Sequence, residues 1–251
     1  MDTSDGMEPT VIYEDDNLVV LNKPAGLIMH SDGRTVEPSV AHWLLSRYPG
    51  SETIGEPWTS PQGEIVARPG IVHRLDRGTS GAVVVAKNQE TYLFLKEQFQ
   101  ARTATKQYRA FVYGHPTKDE GVIEAEITRI RSIPPRWGVA RKNEEKKHRA
   151  AITEWNVLSR AADAESGEKI SYLEARPKTG RTHQIRVHLK HLNHPVVCDP
   201  LYAKGRPCVL GFRRPALHAF ALTLALPTGE TKTFEAPLPE DFERALSTLK
   251  I

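Results

Sequence analysis

The amino-acid sequence predicts an α+β fold, in which a few helices flank a mostly antiparallel or mixed central β-sheet. Most apolar segments are short and alternate with polar residues, which is typical of half-buried strands, and only three segments have helical spacing. Strands and helices do not alternate regularly, so a doubly wound parallel sheet is disfavoured. Hydrophobic residues make up 39% of the 251 residues, which is enough for a substantial core.

The first part of the chain combines strands, one helix and a long loop. Residues 1–10 are polar and acidic, and we expect them to be a flexible tail. The alternation in 11–22 predicts two strands joined by a turn, and residues 39–48 have helical spacing with Ser39 as the N-cap. Residues 49–70 contain four prolines and four glycines, which predicts a long loop.

The remaining elements are predicted from the helical period of about 3.6 residues and the strand period of two residues. Residues 89–101 and 183–193 have the spacing of helices, and the pattern of 216–239 predicts a final hairpin that turns at "PTGE". The basic residues 131–149 are expected to form an exposed turn or hairpin tip. Further strands are predicted at residues 82–86, 108–114, 121–130, 150–160 and 170–177.

Positive charge is concentrated in three segments in the second half of the chain, although the formal net charge is only +3. Residues 129–149 carry eight Lys or Arg against two Glu, and residues 176–194 carry five Lys or Arg and four His without an acidic residue. Residues 204–214 add four more Lys or Arg. Each segment alone is compatible with a solvated surface, but together they indicate a polyanionic partner whose phosphates provide salt-dependent affinity.

Several classes of protein are disfavoured by what the sequence lacks. No run of about 18 apolar residues is present, so we expect no membrane span. The polar N-terminus differs from secretory and transit peptides. Cys198 and Cys208 are too few for a disulfide framework and lack the spacing of a zinc site, so we predict a reduced, cytoplasmic location.

The segment "HRLDRGTSGAVVVAK", residues 73–87, is the first candidate for chemistry. Asp76 lies between Arg74 and Arg77, before a small-residue turn and an apolar run typical of a buried strand. A local ion pair is the simplest structural explanation of this placement. The functional alternative is that the neighbouring cations favour the ionised carboxylate and the small residues admit a ligand. An ionised, positioned carboxylate can act as a nucleophile or a base.

The segment "TGRTHQIRVHL", residues 179–189, is the second candidate. On a helix, Arg186 would lie about 100° from the apolar stripe, so its side chain can reach a cleft. The histidines of residues 183–194 are interpreted as hydrogen-bonding and phosphate-contacting groups, because no carboxylate or thiol within the helix completes a metal site. We predict neither a metal nor an organic cofactor. Tyr108 is either a buried aromatic residue on a strand or a platform on which a base stacks.

Four motifs follow one another between residues 12 and 202. They are "LVVLNKPAG", "RPGIVHRLDRGTSG", "KQYRAFVYG", and "TGRTHQIRVHL" with the later "HPVVCDPLY". Together they resemble the motifs of the RluA-type pseudouridine synthases, which isomerise uridine in RNA. The resemblance implies a single pseudouridine-synthase-like catalytic domain over residues 11–251, without the N-terminal S4 RNA-binding domain that many members carry.

The resemblance also implies roles for individual residues. Asp76 corresponds to the catalytic aspartate, Tyr108 to the tyrosine that stacks on the target base, and Arg186 to the cation that pairs with the aspartate. Arg74 corresponds to the arginine that contacts RNA while the target nucleotide is extruded, and Arg77 becomes a surface or phosphate contact. The expected RNA-binding residues are Arg74, Arg77, Arg181, His183 and Gln184.

The implied reaction breaks the N1–C1′ bond of uridine and rejoins the uracil through C5, without a metal or organic cofactor. The implied partner is ribosomal or transfer RNA, bound by a monomer, and the target base must leave its stack. Residues 49–70 and 131–149 are expected to set the RNA preference. Two alternatives stay open: a nucleosidase, although such chemistry usually uses two carboxylates, and a non-catalytic RNA-binding module.

Overall fold

The computed structural model describes residues 7–31, 37–59, 63–130, 132, 136–140 and 148–250. Most of the predicted N-terminal tail, part of the loop 49–70 and part of the basic segment 131–149 therefore lie outside the described residues. Thr10, at the end of the predicted tail, already belongs to the first strand.

Within the described residues the chain forms short strands and a few helices. The strands are β1 Thr10–Glu14, β2 Leu18–Lys23, β3 Trp58–Thr59, β4 Ile65–Val66, β5 Ser80–Ala86, β6 Thr105–Tyr113, β7 Glu120–Glu124, β8 Ile127–Ile130, β9 Arg136–Val139, β10 Ile152–Ala162, β11 Lys169–Pro177, β12 Leu217–Ala225 and β13 Thr231–Glu235. The helices are α1 Val40–Arg47, α2 Gln89–Ala101, α3 Gln184–His191 and α4 Glu240–Leu249, with a 3-10 turn at Ser51–Thr53. None of these helices is long and apolar enough to cross a membrane.

These elements form two compact units. The first unit is drawn from residues 1–105 and 219–237, and the second from residues 106–218 and 238–251. Both contain antiparallel strands with helices, so the predicted α+β class is confirmed. The single catalytic domain over residues 11–251 stays a prediction.

The first unit is built on β1, β2, β5 and β12 as neighbouring strands, with β13 paired to β12. Strands β2 and β5 pair antiparallel. Both are buried along almost their whole length, which explains why they are mostly apolar and do not alternate with polar residues. Helix α2 begins after Asn88, whose side chain accepts from the backbone N–H of Thr91 at 2.8 Å, as an N-cap does. It ends where Arg102 takes a left-handed conformation, with a φ of 64°. The predicted helix 89–101 is confirmed.

The second unit is built on the antiparallel strand order β6–β11–β10–β7. The single strand predicted over 121–130 is wrong, because this segment forms two strands, β7 and β8, in different sheets. After β7 pairs with β10, the chain leaves that sheet and β8 pairs with β9 as a separate hairpin. Alternation of apolar and polar residues continues across the break, so periodicity alone could not locate it.

Helix α3 is surrounded by the second unit on most of its sides. Its first six residues, 184–189, are all buried, although the sequence predicts an amphipathic helix. The polar members are accommodated by a hydrogen-bonded chain: Gln184 Nε2 donates to Thr153 Oγ1 at 3.0 Å, and Thr153 Oγ1 lies 2.9 Å from His188 Nδ1. His188 Nε2 lies 3.1 Å from the carbonyl oxygen of Ala125, which can only accept, so the neutral ring carries its proton on Nε2.

The stability of the protein is expected to fall at mildly acidic pH because of His188. Burial lowers the pKa of His188 from 6.5, with a further lowering by nearby His191 and a partial opposing effect of the Ala125 carbonyl. Below pH 6.5 the unfolded chain therefore binds a proton that the folded chain does not bind, and the free energy of unfolding decreases. Urea unfolding across this range should show a smaller decrease for His188→Gln than for the wild type. The exposed His42→Gln is the control, and equal slopes for the wild type and His188→Gln would contradict the expectation.

The two cysteines form a disulfide in the structure, between Cys198 and Cys208, with Cα atoms 4.6 Å apart. Two cysteines are too few for a disulfide framework, and this single bond joins residues that are ten positions apart in the sequence. The loop connects the turn after α3 to the buried Val209 and Leu210.

Candidate active site

Asp76 lies on a tight loop in the first unit, directly before strand β5. The backbone N–H of Thr79 donates to the carbonyl oxygen of Asp76 at 3.0 Å, which closes a turn. Leu75 on one side and Thr79 on the other are buried, whereas Asp76 itself is half-buried. The loop thus holds one carboxylate partly accessible between two residues that are anchored in the core.

His73 fixes the entrance of this loop. Its Nε2 accepts a hydrogen bond from the backbone N–H of Val84 at 3.0 Å, which attaches the loop to β5. Its ring also stacks on Phe99 of α2, with the ring centroids 4.5 Å apart and an angle of 14° between the planes. The histidine of "HRLD" therefore has a structural role in this chain.

Lys23 fixes the other side of the loop from the motif "LNKPAG". This lysine is fully buried, and its Nζ donates to the carbonyl oxygens of Pro24 and Leu27, each at 2.9 Å, and of Arg77 at 3.4 Å. The backbone N–H of Gly26 also donates to the carbonyl oxygen of Arg77, at 2.8 Å. The first motif thus holds the backbone that follows Asp76.

Replacing Lys23 with methionine is expected to destabilise the protein and loosen the Asp76 loop. Methionine fills a similar volume but removes the amine that donates to the carbonyl oxygens of Pro24 and Leu27, at a cost of about 2–3 kcal/mol. Urea unfolding measures this loss of free energy. Lys232→Met, which removes an amine from β13 in the same unit, is the matched control. An unchanged unfolding free energy in Lys23→Met would contradict the role of Lys23.

Glycine 81 is required for strand packing in the first unit. In the sequence, the small residues of "RGTSG" suggest room for a ligand. At Gly81, however, φ is +118°, and a Cβ atom would lie only 2.2 Å from the carbonyl oxygen of Ala219. Gly81 is therefore needed for the close approach of β5 to the neighbouring strand β12.

The two arginines beside Asp76 differ in their surroundings. Arg74 is exposed, and no hydrogen bond or ion pair joins its side chain to another of the described residues. Arg77 is also exposed but forms a two-point ion pair with Glu37, at 2.7 Å and 3.1 Å. A phosphate bound by Arg77 would have to compete with Glu37, so Arg74 fits the expected RNA contact better than Arg77 does.

Tyr108 lies on strand β6 in the second unit, opposite Ala175 of β11. It is half-buried, and its ring packs against the main hydrophobic core of this unit. A strand position with one side of the ring supported by the core gives a rigid aromatic surface. This surface is compatible with either of the two roles considered for Tyr108.

Arg186 is held in the second unit by a buried carboxylate, Asp199. Arg186 Nε donates to Asp199 Oδ2 at 2.6 Å, and Nη2 donates to Oδ1 at 2.9 Å. The side chains are only 6% and 0% exposed. Asp199 Oδ1 also accepts from the backbone N–H groups of Leu201 and Tyr202, at 3.0 and 3.1 Å.

Sequence reasoning missed Asp199 as a functional residue. It assigned Arg186 a single carboxylate partner, Asp76, whereas within the second unit the partner of Arg186 is Asp199. The available signal was that Asp199 stands in "HPVVCDPLY", the last of the recognised motifs. A pair between Arg186 and Asp76 stays a prediction.

Gln184 does not fit its expected role as an RNA contact. Gln184 is only 4% exposed. Its Oε1 accepts from Thr179 Oγ1 at 2.6 Å and from the backbone N–H of Arg181 at 3.0 Å, while its Nε2 donates to Thr153 and to the carbonyl oxygen of Ile152. The amide is thus fully used in holding the start of α3 to β10, which leaves no group for RNA.

His183 and Arg181 are also engaged in the turn before α3. His183 precedes the helix with a left-handed φ of 56°, and its Nδ1 lies 2.9 Å from the hydroxyl of Tyr202. Arg181 Nε donates to the carbonyl oxygen of Ala150 at 3.1 Å. Both residues are half-buried, so their RNA contacts stay predictions. Among the residues that the structure describes, no three or more His, Cys, Asp or Glu are grouped as metal ligands.

Each unit therefore presents one part of the expected chemistry. The first unit holds the half-buried carboxylate of Asp76 on a loop fixed by Lys23 and His73. The second unit holds a guanidinium, Arg186, whose orientation is set by Asp199, and the core-supported ring of Tyr108. A fixed carboxylate, an oriented cation and an aromatic surface suit a reaction on a planar base attached to ribose.

The sequence matches the family model described as RNA pseudouridylate synthase over residues 17–191. The chain is 38% identical over 241 residues to an uncharacterised RNA pseudouridine synthase of Synechocystis. The aligned region covers 96% of this chain and 68% of that protein. It is also 38% identical over 252 residues to the ribosomal large subunit pseudouridine synthase D of Neisseria meningitidis serogroup B. That match covers 96% of this chain but only 61% of the relative, so the chain spans about two thirds of the length of these relatives.

Two solved structures share the fold of this chain. The human RNA pseudouridylate synthase domain containing 1 superposes with a TM-score of 0.73 at 26% identity, covering 95% of this chain and 87% of that one. The human RNA pseudouridylate synthase domain containing 4 shares the fold, with a TM-score of 0.69 at 24% identity, over 96% of this chain and 92% of that one. On the family match over most of its length and on these relatives, the chain belongs to the RNA pseudouridylate synthase family.

Proposed function

We propose that this chain isomerises uridine to pseudouridine in RNA, with Asp76 as the catalytic residue. The observation that carries the proposal is the placement of Asp76, half-buried on a loop that Lys23 and His73 hold from both sides. The family match supports the reaction class. A carboxylate held in this way costs little reorganisation when it meets its substrate.

The reaction needs one ionised carboxylate at the target nucleotide. The N1–C1′ bond breaks, the detached uracil turns, and a C5–C1′ bond forms while the proton on C5 is lost and N1 gains one. The RNA is therefore unchanged in mass. Asp76 supplies the carboxylate, Tyr108 stacks on the uracil, and Arg186 orients the carboxylate.

The target base must leave its stack before the carboxylate can reach it. Unstacking costs a few kcal/mol, and the cost is smallest at an unpaired site in an RNA loop. Cationic contacts to phosphate offset this cost. Arg74 is suited to such a contact because it is exposed beside the catalytic loop and has no ion-pair partner among the described residues.

The proposed partner is ribosomal RNA, with transfer RNA as the second candidate. The name of the Neisseria relative, a ribosomal large subunit pseudouridine synthase, favours the ribosomal substrate. The protein would act as a monomer in the cytoplasm, and a reducing compartment would open the Cys198–Cys208 bond. Light scattering measures the oligomeric state, and rapid thiol alkylation in lysed cells measures the state of the two cysteines.

Tritium release from RNA tests the reaction. Unmodified ribosomal and transfer RNA, transcribed with tritium at C5 of uridine, is incubated with the protein. A pseudouridine synthase releases tritium into water, leaves the uracil attached, and creates carbodiimide-dependent stops of reverse transcription. Release of free uracil would instead identify a nucleosidase. Binding without release of tritium or uracil would identify a non-catalytic RNA-binding module.

A further inference from the structure

A cavity of about 320 Å³ lies in the second unit, between the hairpin β8–β9 and helix α3. Its apolar walls include Val139, Val187 and Leu201, together with the rings of Trp137 and Tyr202. Trp137 is half-buried and packs against the small hydrophobic cluster that contains Val187 and Tyr202. Volumes near this value are typical of pockets that bind small planar ligands or single residues of a larger one.

The rim of this pocket is cationic. Arg136, Lys190 and Lys204 line it together with His191, and none of the described lining residues is acidic. The two lysines and His191 are exposed. Within the described part of the chain, none of the three Lys and Arg side chains forms an ion pair or side-chain hydrogen bond, and Arg136 Nε is buried without an acceptor. The rim therefore presents positive charge that suits an anionic ligand.

The pocket adjoins Arg186 through one residue, Tyr202. The guanidinium of Arg186 lies 5.1 Å from the ring centroid of Tyr202, which forms part of the pocket wall. The hydroxyl of Tyr202 accepts from the backbone N–H of Trp137 at 3.2 Å, so the aromatic wall of the pocket is tied to the same tyrosine. A ligand in the pocket would thus contact Tyr202, the ring on which the guanidinium of Arg186 lies.

We propose that this pocket binds one unpaired nucleotide of the substrate RNA that flanks the target uridine, with its base against Trp137 and its phosphates at Lys190 and Lys204. The proposal deepens the proposed function and rests on RNA being the substrate. An apolar slot with an aromatic wall accepts the face of a base, and a rim of unpaired cations accepts the backbone on either side of it. The pocket would position the RNA strand while the target base is extruded.

Salt-dependent binding of a fluorescein-labelled oligouridine tests the cationic rim. In the double variant Lys190→Gln with Lys204→Gln, the slope of log affinity against log salt is expected to fall by about 1.4, or about 0.7 for each lost phosphate contact on a single strand. The matched control is Lys118→Gln with Lys169→Gln, which removes the same charge from exposed positions of the same unit. An equal decrease of the salt slope in both double variants would overturn the proposal, because the decrease would then reflect the overall charge of the protein and not contacts at the pocket.

Base contact is tested with an oligonucleotide that carries 5-iodouridine, which cross-links to an adjacent aromatic ring on irradiation. The expected cross-link is to Trp137, and Trp137→Leu should weaken oligouridine binding about 10-fold through lost stacking. Cross-links confined to other residues would overturn the base contact. Because the lysine variants leave the core unchanged, they test the pocket even if Trp137→Leu does not fold.

Tritium release by the same variants separates this proposal from the proposed function. If the wild type modifies RNA but the double variant Lys190→Gln with Lys204→Gln binds RNA with an unchanged salt slope, the pocket is refuted and the reaction stands. If the wild type releases no tritium but the salt slope and cross-link behave as expected, the pocket stands and the reaction is refuted.

Discussion

Asp76→Asn is expected to abolish pseudouridine formation, with a decrease in rate of more than about 10³-fold, while affinity for RNA stays nearly unchanged. Asparagine has the shape of aspartate but cannot act as an ionised nucleophile or base. The fold should tolerate the change, because Asp76 is half-buried and its turn is closed by the backbone hydrogen bond to Thr79. Tritium release measures the reaction, and oligouridine anisotropy measures binding.

Asp16→Asn is the matched control for this experiment. Asp16 is exposed in the turn between β1 and β2 of the same unit. Its substitution therefore removes one negative charge at a position that is remote in sequence from the Asp76 loop. The control should modify RNA like the wild type. A normal rate in Asp76→Asn would refute the catalytic assignment, and a loss of RNA binding together with the rate would indicate a binding role for the carboxylate.

Asp199→Asn is expected to have the second largest effect, because it removes the charge of a carboxylate that forms a buried two-point ion pair with Arg186. Breaking a buried ion pair by changing one partner typically costs about 3–5 kcal/mol of stability. The cost here should lie at the lower end, since asparagine retains one oxygen for Arg186 or for the backbone N–H groups of Leu201 and Tyr202. Thermal unfolding measures this loss of stability.

Catalysis should also decrease in Asp199→Asn, beyond the loss of folded protein. Asp199 is a positioning residue, which acts through the orientation of Arg186, so kcat should fall while KM changes little. Both constants are measured well below the melting temperature of the variant, where the folded fraction is complete. An unchanged kcat per folded molecule would limit Asp199 to a structural role.

The pair between Arg214 and Asp241 offers a matched control in the same unit. It has the same two-point geometry, with Nε to Oδ2 at 2.7 Å and Nη2 to Oδ1 at 2.9 Å, but its side chains are 15% and 20% exposed. Asp241→Asn should therefore cost less stability and should leave kcat unchanged. Equal effects of both substitutions on kcat would contradict a specific role of Asp199.

Local structure could be predicted from the sequence where one short segment contains all the information. Helix α1 follows Ser39, whose side chain accepts from the backbone N–H of His42 at 3.1 Å, as the sequence predicts. The strands β10 and β11 and the final hairpin of β12 and β13 are likewise confirmed. Caps, alternation and turn residues act over a few positions, so they can be recognised without the rest of the fold.

The candidate site could be predicted only in part, because its contacts join residues that lie far apart in the sequence. Motif resemblance selected Asp76 and Arg186 as candidates, and their roles stay predictions, but it did not predict that Asp199 would hold Arg186. It also assigned Gln184 to RNA, whereas hydrogen bonds to residues 30 or so positions earlier bury this amide. Such contacts join segments distant in the chain, and periodicity carries no information about them.

The sequence by itself determined the α+β class, most strands and helices, and the family, in which Asp76 is the predicted catalytic aspartate. Only the tertiary structure decided how these residues are held: Lys23 by three carbonyl oxygens around the Asp76 loop, Arg186 by Asp199, and Trp137 in the wall of a cationic pocket. Burial makes this difference. A lysine, an arginine or a glutamine has the same chemistry in any sequence. Once buried, however, each needs hydrogen-bond partners, because an unpaired buried polar group costs free energy. Which groups serve as partners depends on the packing of the whole unit.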